Sequence, residues 1–69
     1  MNVATAFEEA VSFYRQLHLK DPTTVLLGRK CIEHLMELHV IHIGADRGEM
    51  YYRGLPVEYS GDPWCVEVQ

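Results

Sequence analysis

Residues 22–38, Pro22-Thr23-Thr24-Val25-Leu26-Leu27-Gly28-Arg29-Lys30-Cys31-Ile32-Glu33-His34-Leu35-Met36-Glu37-Leu38, decide the fold. Two readings compete. As one helix, the stretch takes Asp21 for its N-cap and Pro22 for its first helical residue, and only Leu26 falls clearly on the polar side. As a strand and a helix, Thr23–Leu27 is β because β-branched residues cluster there and Gly28 interrupts. A helix over about residues 29–38 then buries Cys31, Ile32, Leu35 and Met36. Arg29 and Lys30 weigh against it, because the positive end of a helix dipole disfavours cations in the first turn. We favour the strand-then-helix reading.

Upstream, Thr5-Ala6-Phe7-Glu8 fits a capping box, in which a hydroxyl and a Glu three residues later satisfy two orphan amides reciprocally. Phe7, Ala10, Val11, Tyr14 and Leu17 then recur at helical spacing and form one apolar stripe. Glu8 and Glu9 lie near its start, with Arg15, His18 and Lys20 at or past its end, as a helix dipole prefers. Asp21-Pro22 stops the helix, which the pattern places over about residues 5–18.

Downstream the chain reads as β. His39-Val40-Ile41-His42-Ile43 is a β-prone run ended by Gly44, and Asp46-Arg47-Gly48 is a turn. Glu49–Tyr52 and Leu55–Tyr59 flank Arg53-Gly54, where glycine can supply the positive φ of a tight hairpin. Pro56 cannot donate to a ladder, so its amide position must face an edge or a loop. Ser60-Gly61-Asp62-Pro63 is a second turn. Trp64–Val68 is the last strand, with Trp64, Val66 and Val68 on one face. The pattern predicts a single α+β domain over residues 1–69, two helices packed on a small, mainly antiparallel sheet.

The order Thr23–Gly28, then an amphipathic helix ending at Leu38, then Tyr52-Arg53-Gly54-Leu55-Pro56-Val57 resembles small bacteriophage and prophage accessory proteins. It is also similar to a segment of the tailed-phage capsid fold, where a strand and helix precede a Gly-x-Pro-Val hairpin. The likeness covers about residues 22–69. It implies a source class and a role in binding, and it carries no catalytic residues across.

Sixty-nine residues, 48% of them hydrophobic, form a marginal core. A chain this short hides only about 60% of the surface its unfolded form exposes, so it commonly leans on a metal, a disulfide or a partner. The apolar surplus makes a homo-oligomer, a dimer first of all, or a docked protein the expectation. Six basic against ten acidic side chains give a net charge of −4. Only Arg29-Lys30 pairs two cations, so direct nucleic-acid binding is not expected. Met1–Thr5 lacks a basic segment leading into an apolar run, and no stretch has the length of a membrane span. Cys31 and Cys65 therefore read as free thiols, and the cytoplasm, or a virion if the source is a phage, as the location.

Cys31, His34, His39 and His42 form a Cys-x2-His-x4-His-x2-His series of zinc-compatible ligands. If residues 39–43 are a strand, however, His39 and His42 point to opposite faces, and the core reading of Cys31 is preferred. Cys65, Ser12 and Ser60 lack a base and an orienting group, and Glu8 and Glu9 are explained by capping, so no catalytic set and no cofactor are expected. Tyr51, Tyr52, Arg53, Tyr59 and Trp64 are the candidate partner-binding residues, since Tyr, Trp and Arg dominate binding hot spots. Alternation puts Tyr51 and Tyr52 on opposite faces of the hairpin, so that one looks outward. The sequence thus leads to a non-enzymatic binding or assembly protein acting as a homo-oligomer. A small metal-binding regulator and an acidic decoy of a nucleic-acid-binding enzyme are the rivals.

Overall fold

The ambiguous stretch breaks at Gly28. In the computed structural model, which describes residues 2–45 and 48–69, Val25–Leu27 is strand β1 and Arg29–Glu37 is a helix, α2. Helix α1 (Val3–His18) precedes them, and β2 (Ile41–Ile43), β3 (Met50–Tyr52), β4 (Leu55–Tyr59) and β5 (Val66–Val68) follow. Of the expected Asp46–Gly48 turn, Asp46 and Arg47 lie outside the described residues.

The strands form one sheet in the order β2-β3-β4-β1-β5. Only β1 and β4 run parallel; the other neighbours are antiparallel. The registers put Val25, Leu27, Ile41, Ile43, Met50, Tyr52, Leu55, Val57, Tyr59, Val66 and Val68 on one face. Leu26, His42, Tyr51, Pro56, Glu58 and Glu67 occupy the other. The first face holds the core. Val25, Leu27 and Tyr52 meet Val3 and Phe7 of α1 and Cys31, Ile32 and Leu35 of α2. Complete burial of a side chain such as Leu27 or Leu35 contributes about 1.5–3 kcal/mol. The second face is open.

Helix α1 begins two residues before the expected start. Asn2, not Thr5, is the N-cap, and its Oδ1 accepts from the Thr5 amide at 3.2 Å. An asparagine side chain serves this position as well as a hydroxyl does, so the earlier residue takes it. The apolar stripe also ends sooner: Val3 and Phe7 are buried, whereas Leu17 is 63% exposed. Leu19 closes the helix with φ 56°, its amide donating to the Arg15 carbonyl.

Helix α2 has no side-chain cap. The carbonyl of Pro63 does that work, accepting from the amides of Lys30 at 2.9 Å and Cys31 at 3.4 Å. A fixed acceptor at the helix start offsets the two cations that spoke against this helix. Cys31, Ile32 and Leu35 are buried as expected, but Met36 is 45% exposed. At the other end His39 adopts φ 58° rather than a strand conformation. The His39 amide donates to Met36 and the Val40 amide to Leu35, the paired bonds of a Schellman cap with histidine in the seat usually held by glycine.

In the hairpin between β3 and β4, both Arg53 (φ 49°) and Gly54 (φ 83°) are left-handed, as a type I′ turn requires. Pro56 is in an interior strand, not at an edge. It sits where β4 passes from pairing with β3 to pairing with β1 at Val57, so its missing donor falls beside the start of the second ladder. Trp64 is outside the last strand. The carboxylate of Asp62 accepts from the Trp64 amide at 3.0 Å and the Asp62 carbonyl from the Cys65 amide at 3.1 Å. This local Asp turn takes the backbone groups a longer strand would need.

Candidate protein-binding surfaces

The five residues expected to bind a partner are distributed over separate parts of the molecule. Tyr52 is not available, being 2% exposed. Its ring stands edge-on to Phe7, with centroids 4.9 Å apart. Arg53 covers this pair from outside, its guanidinium 5.6 Å from the Phe7 centroid and 5.5 Å from that of Tyr52. Arg53 also donates to Glu8 Oε1 at 3.1 Å, and this bond holds its proton still more firmly than usual. The left-handed hairpin position is thus pinned to α1. Tyr51 lies half-buried on the open face and donates to Glu49 Oε2 at 3.3 Å. The neighbouring carboxylate charge pushes the Tyr51 phenol up from its ordinary range.

Tyr59 and Trp64 stand at the other end of the sheet. Strand β4 runs away from the Arg53-Gly54 turn until Tyr59 pairs with Leu27, and Pro63, next to Trp64, caps α2 beside Gly28. Both are well exposed, at 70% and 49%. The hairpin tip and the Tyr59–Trp64 end are therefore two places, not one patch.

The Cys-His series is not assembled either. Among the described residues no three His, Cys, Asp or Glu side chains are grouped so as to hold a metal ion. Cys31 is fully buried, and burial, with the nearby Cys65 and Asp62 charges, pushes its thiol up. That opposes the thiolate form a metal ligand needs. His34, His39 and His42 are exposed. Cys65 is half-buried, its Sγ 4.0 Å from the Leu26 carbonyl. No charged or polar side chain among the described residues is buried.

What the sequence reading missed is where the apolar surplus emerges. Met36, Leu38, Val40 and Ile43 are 45%, 56%, 43% and 61% exposed. They follow one another from the last turn of α2 to β2, an edge strand. Leu38 and Val40 share a hollow of about 220 Å³ with the start of α1. At the opposite edge, Phe13 and Leu17 of α1 overhang a groove of about 260 Å³ floored by Val66 and Val68 of β5. The only sequence signal for the first strip was Met36 and Leu38 on a helix too short to bury both. No helix among the described residues is long and apolar enough to cross a membrane. In comparison with known proteins, the chain matches no family model, no curated protein and no solved structure.

Proposed function

We propose that the protein is a non-enzymatic binding and assembly module that acts as a homo-oligomer. The observation that carries this reading is the strip Met36, Leu38, Val40 and Ile43, exposed along and beside a free strand edge. Apolar surface of this kind gains free energy when covered, at about 25 cal/mol per Å². An unpaired edge beside it offers backbone donors and acceptors to another chain. The likeness of residues 22–69 to small phage accessory proteins supports the same class, proteins that act by binding. Sedimentation equilibrium over a concentration series tests the reading. The expected result is an average mass rising from 8.0 kDa to a small multiple of it. A strict monomer at tens of micromolar rejects it.

One observation favours the acidic-decoy alternative. On the open face Glu58 and Glu67 flank Leu26, one on each neighbouring strand, and no Lys or Arg occupies a strand position there. A decoy binds a basic bacterial protein with an affinity that falls steeply with salt. A pull-down from bacterial lysate at two salt concentrations separates the two readings.

A further inference from the structure

Strand β2 carries enough information to specify what pairs with it. The Gly44 amide donates to the Glu49 carbonyl at 2.6 Å, and His42 is opposite Tyr51. In an antiparallel ladder hydrogen-bonded pairs alternate. Gly44 and His42 therefore turn their backbone groups toward β3, while Ile41 and Ile43 turn theirs out to the free edge. The tripeptide Ile41-His42-Ile43 also reads the same in both directions. A second copy laid antiparallel about His42 meets each isoleucine with an isoleucine.

Charge distinguishes the two edges of the sheet. Strand β5 has Glu67 at its centre, so two copies joined there in the same way would set one glutamate against the other, which is destabilising. Strand β2 is short, but it has no carboxylate, no lysine or arginine and no proline, so neither charge nor proline protects this edge.

We infer that two copies of this chain pair antiparallel through β2 with His42 on the two-fold axis. This rests on the homo-oligomer reading and gives it an address and a register. Ile41 of each copy exchanges both backbone hydrogen bonds with Ile43 of the other, and the two five-stranded sheets become one of ten strands. The exposed Ile43 is covered on the helix side. The two His42 residues form a non-hydrogen-bonded pair, with Cα atoms about 4.5 Å apart and side chains adjacent on the open face.

Cysteine cross-linking tests the register. In a Cys65→Ser background, His42→Cys is expected to give a disulfide-linked dimer under mild oxidation, because a Cα separation of about 4.5 Å lies within disulfide geometry. Glu67→Cys in the same background is expected not to. Ile43→Lys, with folding checked by circular dichroism, weakens the dimer roughly tenfold or more. Cross-linking through Glu67→Cys, or a dimer that survives Ile43→Lys unchanged, overturns this interface and leaves self-association standing. A dimer lost in Ile43→Lys but not cross-linked by His42→Cys overturns the register. A wild-type chain that stays monomeric and is not cross-linked by His42→Cys overturns both the interface and the homo-oligomer reading.

Discussion

Gly28 and Pro63 meet backbone to backbone with no room for a methyl group between them. A Cβ at residue 28 would stand 2.3 Å from both the carbonyl carbon and the oxygen of Pro63, and 2.0 Å from the Asp62 oxygen. The same Pro63 carbonyl caps α2, so strand end, helix start and the last turn are fixed at one point. Gly28→Ala is expected to cost about 3 kcal/mol or more, through overpacking together with loss of the cap. Urea unfolding checks this, and a midpoint within error of wild type would contradict the close approach.

Replacing Tyr52 should affect folding, and replacing Tyr51 should not. Tyr52→Ala empties a fully enclosed site against Phe7, and truncation of a buried aromatic costs about 3–5 kcal/mol. Tyr51→Ala removes a half-exposed ring and an exposed hydrogen bond, at about 1 kcal/mol or less. Thermal unfolding followed by circular dichroism distinguishes them, and equal effects would refute the placement of the two rings.

Two non-glycine residues end helices in the left-handed region, Leu19 at φ 56° and His39 at φ 58°. Both side chains are exposed, Leu19 at 88%, so little packing is lost with them. Leu19→Gly and His39→Gly should each stabilise the fold by about 0.5–1 kcal/mol, since that backbone region penalises L side chains. For a chain of this size the gain is a rise in Tm of about 4 °C. A fall in Tm would count against the assigned caps.

Guanidinium cover over the core should matter more than its ion pair. Arg53→Ala leaves a side chain at a positive φ and uncovers Phe7 and Tyr52, costing about 1–2 kcal/mol. Glu8→Gln breaks only an exposed pair, worth about 0.5 kcal/mol. If the two substitutions are equally damaging in urea, the contact with the rings is not what holds the turn.

Cys31 gives a pH dependence of known sign. Burial raises its thiol above the ordinary value of 9.0, so the folded state prefers the protonated form. The unfolded chain loses its proton first. Below the unfolded value this contribution to stability is complete, and it is lost as pH rises through that value toward the folded one. The urea midpoint should therefore fall between about pH 8 and pH 10, more steeply in wild type than in Cys31→Ala, which removes the group. Parallel curves for the two proteins would show that the thiol does not contribute.

The strand-helix break at Gly28 and the α+β class were legible because they depend on local chemistry: β-branched residues before the glycine and helical periodicity after it. The alternation of Tyr51 and Tyr52 was legible too, but not which of them faces inward. That is decided by Phe7, 45 residues away from the tyrosine it packs against. Pro56 was expected to face an edge or a loop because the parallel pairing of β1 with β4 leaves no mark in either segment. Trp64 was drawn into a strand by its β propensity, whereas the Asp62 carboxylate holds its amide in a turn. The five candidate residues do not form one patch, and their spacing gave no sign of it. Sequence proximity in a hairpin said nothing of the strand length that carries Tyr59 away from Arg53.

Strand β1 gains its second neighbour only when Val66–Val68 arrives, and the carbonyl of Gln69 accepts from Thr23 and Thr24. Thr23 and Gln69 are 46 positions apart. Closing so wide a loop costs chain entropy before any contact rewards it, so this ladder is expected to form late in folding. Until it closes, Val25 and Leu27 line an unsealed margin in the middle of the molecule. A folding chain at high concentration is most vulnerable to misassembly there.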